Sequence, residues 1–342
     1  HKMNGRSHQK IAMLSYAITA TVPIINSMTL FNNKYIHVSM GISLVGLCTA
    51  SLAGLLVDAD SQNSKINHMS PLTGRSNKAV NNIEKLLKLL LRLFLGIGLC
   101  ALTLIYSTAI ISQLTRINFI GSYSKLYTYF LAFIFLVIGM SNEKVYKKIP
   151  IIGLLYKKLS SLINKGLNDF KKTNMFLTYV ASSVVLALYN ISNTNDIYIY
   201  IICVLLICIA VFPHRSFLHS IEGVIVFTIS ASYIFNKLGY EYLTGCFFVG
   251  YISHIYWGDI FTKEGVPILS SPRFIALLLK KIGIRNDFVC ILEKVGKFKV
   301  KLPPHITTGS DAGNLFEIIY IITLFILVVI SLIVYGCNFR VI

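Results

Sequence analysis

The residues of this chain best suited to chemistry fall in four short stretches. Asp58-Ala59-Asp60 follows the apolar run SLVGLCTASLAGLLV. Two carboxylates at the end of an apolar helix are costly to desolvate unless they are paired or bind a metal. A solvated loop and a metal site both account for the pair. The second stretch is Pro213-His214-Arg215-Ser216-Phe217-Leu218-His219-Ser220, with Glu222 just behind it. Histidines five apart do not share a helix face. They converge only if His214 sits in the turn after Pro213 and His219 enters the next helix. His219 and Glu222, three apart, do share a face. Glu222 is therefore a candidate ligand, a catalytic carboxylate, or an acceptor that orients the imidazole. Arg215 between the histidines suits a phosphate or carboxylate, whose oxygens a guanidinium matches in pairs.

The third stretch, Gly250-Tyr251-Ile252-Ser253-His254-Ile255-Tyr256-Trp257-Gly258-Asp259, leads into Gly265-Val266-Pro267. His254 falls in the last turn of an apolar segment, and Gly258 lets the backbone bring Asp259 back beside it. Trp257 and the neighbouring tyrosines read as an interfacial aromatic belt. The fourth is Thr308-Gly309-Ser310-Asp311-Ala312-Gly313-Asn314 with Glu317 beyond. A loop of this kind can present amides to an anion, or can simply cap the following helix. His37 and His68 sit in loops with no partner nearby, His305 follows Pro303-Pro304, and none of the three takes a role.

The elements that must position these residues are membrane helices. Of 342 residues, 55% are hydrophobic and 13% charged, half the charged share of a soluble protein, and the mean hydropathy is +0.67. The expected fold is all-α, a polytopic helix bundle in a single integral membrane domain over 1–342. Nine apolar stretches approach the length of a span: 11–31, 38–57, 89–112, 126–140, 175–190, 197–212, 217–235, 242–257 and 315–337. The segment 149–168, with Lys157, Lys158 and Lys165, reads as an amphipathic helix in the interface. Met3 is the expected natural start, and no small-residue cleavage site follows the first apolar stretch, which is expected to stay as a span. The seven cysteines show no Cys-x-x-Cys spacing and read as apolar filler.

Net charge is +18, from 32 basic and 14 acidic residues. The basic residues lie in connections between spans, so no nucleic-acid partner is expected; they orient the chain and meet anionic lipid. The loops 61–88, 141–174 and 259–314 carry most of them and are expected in the cytoplasm. This gives a cytoplasmic N-terminus, an external C-terminus and nine crossings. On that topology His8, Asp58, Asp60, His214, Arg215, His219, His254, Asp259 and Glu317 all lie at span ends on the cytoplasmic face.

The order of motifs resembles one family: an early Gly-x-x-His (Gly5 to His8), Asp-x-Asp, His-Arg-x-x-x-His-Ser, Gly-Tyr-x-x-His with a nearby Asp and Gly-Val-Pro, and a late Thr-Gly-Ser with Glu. It is the LexA-regulated, membrane-bound metal-dependent hydrolase family of bacterial inner membranes, matched over roughly 4–66, 213–272 and 303–320. The segment 67–212 has no clear counterpart in short members. Val57 and Ser61 stand where the family has Pro and often His, and Ser216 and Leu218 replace a common Gly and Thr.

The resemblance implies a metal-dependent hydrolase, distantly similar to zinc phospholipase C and P1-type nucleases, with His8, Asp58, Asp60, His214, His219, His254 and Asp259 as metal ligands. Seven ligands exceed one tetrahedral zinc, so two or three ions are expected, zinc by donor type or else manganese. The expected activity is hydrolysis of a phosphoester in a lipid, lipid-linked phosphate or other amphiphile. A second class is a cation-binding transporter or channel, against which stand the one-sided placement of the candidates and the lack of an inverted repeat; a third is a structural membrane protein with a stabilising metal.

Overall fold

The structure, a computed structural model, describes residues 5–28, 36–61, 64–117, 119–149, 152–307, 310–336 and 339–340. His1–Met3, Lys34, Thr308, Gly309 and Cys337 therefore lie outside the described residues. The expected all-α class is what is found. The principal helices are α1 (Gly5–Thr21), α2 (Leu44–Leu56), α3 (Pro71–Ile105), α4 (Ser124–Met140), α5 (Ile152–Asn193), α6 (Ile197–Val211), α7 (Ile221–Lys237), α8 (Leu243–Trp257), α9 (Ser271–Lys281), α10 (Asp287–Lys297) and α11 (Asp311–Tyr335). The described strands are two-residue pairs, among them Val266–Pro267 antiparallel to Lys299–Val300.

By length and composition, four helical segments among the described residues can cross a membrane: Thr73–Ile105, Gly121–Met140, Ile152–Asn193 and Asp311–Tyr335. The remaining apolar stretches form shorter helices. The 13 residues of α2 rise about 20 Å against a hydrocarbon core of about 30 Å. One face of α2 is buried against protein at Gly46, Ala50, Ala53, Gly54 and Leu55, while Leu44, Val45 and Leu52 are exposed. Apolar composition records only that a segment leaves water, and either protein or lipid satisfies it. The basic connections 61–88 and 141–174 are largely helical, and the amphipathic 152–168 is the first part of the unbroken α5.

The chain divides into two compact units, His1–Thr73 with Asn174–Ile342, and Gly74–Thr173. In the second, α3 and α4 cross so closely that a methyl on Gly139 would come within 2.8 Å of the Gly96 Cα. Small residues permit such contacts between apolar helices. There Arg92 donates from Nη1 to the Ser141 carbonyl at 2.6 Å, and Lys171 donates to Asn81 Oδ1 at 2.6 Å.

In the first unit α1, α2 and α8 pack on one another, with α11 against α1 and α7 against α8. Its core includes Ile11, Val57, Leu218, Tyr251 and Ile255. The α2–α8 crossing is tight because Gly250 has no side chain; a Cβ there would run into the Ala50 backbone. The N-terminal end of α1 and the C-terminal ends of α2 and α8 carry His8, Asp58 and His254 together.

Candidate metal centre

Asp58 and Asp60 lie on the turn that ends α2. Asn67 secures this turn from below. It is fully buried, its Nδ2 donates to the Ala59 and Ser61 carbonyls at 2.8 Å each, and its Oδ1 accepts from the Tyr179 hydroxyl at 2.7 Å. After α6 ends, Pro213–Ser216 make a turn in which Arg215 adopts φ of +60°, a left-handed conformation disfavoured for a residue with a side chain. A short 3-10 turn, Phe217–His219, then delivers His219. The Tyr251 hydroxyl donates to the Leu218 carbonyl at 2.8 Å and ties this turn to α8. His254 closes α8, Gly258 caps it, and Asp259 opens the next 3-10 turn.

Six of the seven expected ligands come together. Three overlapping groups have their donor atoms within 4.8 Å of one another: His8, Asp58 and His254; Asp58, His214 and His219; and His219, His254 and Asp259. His219 Nε2 is 3.3 Å from Asp259 Oδ2 and 3.6 Å from Asp58 Oδ1. His254 Nε2 is 3.5 and 3.8 Å from the same two oxygens. The His8 ring stacks on His254 at 3.8 Å with 15° between the planes. Asp58, His219 and His254 each belong to two groups, as ligands bridging or flanking neighbouring ions would.

Asp60 belongs to none of these groups. Its Oδ1 lies 2.7 Å from His214 Nδ1, so it holds the back of that ring and leaves Nε2 free. His254 is held likewise, its Nδ1 donating to the Gly54 carbonyl at 2.6 Å. An acceptor behind the imidazole fixes the tautomer and makes the other nitrogen a better ligand.

The donors fit a cation on a second ground. Buried polar atoms nearly always find partners, yet His8 Nδ1, both nitrogens of His219, His254 Nε2 and Asp259 Oδ2 are buried without a hydrogen bond. Nitrogens and carboxylate oxygens directed at one another satisfy this geometry when positive charge lies between them. Burial by itself raises the Asp58 and Asp259 carboxyls, but the surrounding imidazoles of His254 and His219 hold both well below the ordinary carboxylate range. Burial also opposes charge on His219, and Asp259 and Asp58 override it, pushing the imidazole up to about 10.

Arg215 borders the cluster, with Nη2 3.6 Å from Asp259 Oδ1 and Nη1 2.6 Å from Glu264 Oε2. Burial disfavours its charge, and Asp259 and Glu264 more than restore it.

The segment that holds most of these groups has a known counterpart. Residues 189–336 match the family model of the YdjM inner membrane protein. No curated protein and no solved structure matches the chain. The YdjM-like segment contains His214, Arg215, His219, His254 and Asp259, whereas His8, Asp58 and Asp60 come from outside it. With the four span-length helices, the match makes this a membrane protein.

Two expected residues stand elsewhere. Glu222 is not brought to the cluster: its Oε2 accepts from the Ser270 and Ser271 amides at 2.9 Å each and from the Ser270 hydroxyl at 3.1 Å. It caps α9, because free amides at a helix start attract an anion. Ser310 accepts from the Gly313 amide at 3.1 Å and so caps α11, the plainer of its two readings. Asn67 and Tyr251 were not legible as parts of the site. A buried asparagine in a polar loop has no periodic signal, and Tyr251 reads as one aromatic among several.

Proposed function

We propose that this protein is a membrane-bound metal-dependent hydrolase that cleaves a phosphoester of a lipid or other amphiphile at the cytoplasmic face. The observation that carries the reading is the convergence of imidazole and carboxylate donors from α1, α2, the turn before α7 and the end of α8, those of His8, His219, His254 and Asp259 including buried atoms without a hydrogen bond. His8, Asp58, His214, His219, His254 and Asp259 would hold two or three divalent ions, zinc or manganese by donor type. Such ions supply a water acidic enough to attack at neutral pH and positive charge for the departing oxygen.

The protein's own groups do the rest. Asp60 and the Gly54 carbonyl keep His214 and His254 in the tautomer that exposes Nε2. Arg215 offers its guanidinium to a phosphoryl oxygen, with Glu264 and Asp259 fixing its direction. In the reaction the water oxygen bonds to phosphorus, the ester P–O bond breaks onto the alcohol oxygen, and a proton of the water ends there.

The test is elemental analysis of the purified protein alongside phosphate or headgroup release from phospholipid and polyprenyl phosphate. The expected result is two to three ions per chain, with both metal and turnover lost in His214→Ala and Asp259→Asn. A metal-replete protein that releases neither product from these lipids, and behaves like His214→Ala, would overturn the hydrolytic reading.

A further inference from the structure

Beside the metal centre lies a cavity of about 210 Å³ whose wall includes His214, Arg215, Arg273, Lys299, Phe212 and Phe274. It shares His214 and Arg215 with the centre, so a molecule filling it reaches the metal ligands directly. Its cationic side is assembled from separate elements. Arg273 stands in the first turn of α9, whose amide end Glu222 clamps. Lys299 is set by the antiparallel pairing of Pro267 with Lys299. Arg215 comes from the left-handed turn after Pro213.

These charges outnumber their partners. Glu264 is the carboxylate in the cavity wall, and it is already bonded to Arg215. Among the described residues neither Arg273 nor Lys299 forms an ion pair within 4.0 Å. Burial lowers the Lys299 amine, and Arg215, Arg273 and Lys301 lower it further against the pull of Glu264. The wall also has an apolar, built part: the Phe212 ring packs at 4.8 Å from Phe274 and stacks at 4.5 Å on Phe217. Cations and aromatic rings lining one small space match a ligand with a dianionic head and an apolar stem.

We propose that this cavity receives the phosphate-bearing end of an amphiphile, with Arg273 and Lys299 on the phosphate oxygens and Phe212 and Phe274 against the first carbons. Its volume holds a phosphate and a few carbons, so a longer chain extends beyond it. The choice of ligand class rests on the reading of the neighbouring centre as a phosphoester hydrolase. The geometry assigns two binding residues that the hydrolytic reading alone does not use.

Calorimetric titration of the purified, metal-free full chain tests this with four probes: dioctanoyl phosphatidic acid, butyl phosphate, inorganic phosphate and dioctanoyl phosphatidylcholine. Both organic phosphates are expected to bind more tightly than inorganic phosphate, and the zwitterionic lipid least. Arg273→Gln and Lys299→Gln should each weaken the organic phosphates about tenfold, the loss of one charge-assisted hydrogen bond. Phe274→Ala should weaken dioctanoyl phosphatidic acid and leave inorganic phosphate unchanged. A preference for the lipid over butyl phosphate identifies a membrane source, and equal binding identifies a soluble organophosphate.

Unchanged affinity in both cation variants, equal binding of phosphatidylcholine, or inorganic phosphate binding as tightly as the esters would each overturn the proposal. Zinc titration of the same variants should match the unsubstituted protein, which verifies their fold. If the unsubstituted chain binds the organic phosphates but no metal, the hydrolase reading falls and the anion pocket stands. Binding of metal without the phosphates has the reverse meaning.

Discussion

His254 Nδ1 donates to the carbonyl of Gly54 across the α2–α8 contact at 2.6 Å. A carbonyl only accepts, so a hydrogen sits on Nδ1, and Nε2 is the nitrogen that faces Asp58 and Asp259. One backbone contact between two helices thereby decides which nitrogen of a buried histidine is turned toward the two carboxylates.

Gly54 should be intolerant of a side chain for this reason. A methyl there would come within 2.9 Å of Ala12 Cβ and 3.3 Å of the His8 carbonyl. Gly54→Ala is expected to part α2 from α1, shift both His8 and the acceptor behind His254, and weaken zinc binding about tenfold. Competition against a chromogenic chelator reads this out; unchanged affinity would mean that the contact does not tune the ligand.

Asp60 is expected to act through His214. Asp60→Asn keeps the shape of the side chain but removes the charge behind the ring, and metal affinity should fall by about 10–100-fold. The ion count at saturation should stay the same. A lost ion would instead make Asp60 a direct ligand, as the family resemblance implies.

Metal should stabilise the fold by mass action. At a free zinc concentration of about 100 times Kd the gain is about 2.7 kcal/mol, seen as a higher Tm that a chelator reverses. The metal-free protein should also have a distinctive pH profile. His219 is pushed up to about 10, so its contribution is complete below its unfolded value of about 6.5 and disappears as pH rises through about 10. Asp58 and Asp259 are held low, so theirs is present above about 3.9 and fades as pH falls further. The metal-free Tm should therefore decline from about pH 6.5 towards 10. The zinc-loaded protein should not, since the ion replaces the His219 proton. Parallel alkaline profiles would contradict this account.

Glu222 separates scaffold from chemistry. Glu222→Ala removes the acceptor of the Ser270 and Ser271 amides and is expected to cost about 1–3 kcal/mol in thermal unfolding, with metal content unchanged. Loss of metal at full stability would return Glu222 to the centre.

The polar residues of the centre were legible because a mostly apolar chain has few reasons to keep acids and histidines at helix ends. Asp58, His214, His219, His254 and Asp259 could be named from type and spacing, and His8 through the order of motifs. What spacing could not separate was ligand from support. Asp60 and Glu222 have the composition of ligands, but one backs an imidazole and the other caps α9. That depends on which atoms meet across chain separations of 154 and 48 residues, and no local period encodes it.

The sequence by itself determined the all-α membrane character and the residues available for a metal, since desolvation acts on every apolar or charged side chain wherever it lies. Tertiary structure alone decided which apolar runs bury against protein, which nitrogen of His214 and of His254 meets an acceptor, and that Arg273 and Lys299 share a cavity with His214. Those outcomes are set by helix crossings, where a missing Cβ at Gly54 or Gly250 moves backbones within hydrogen-bonding reach.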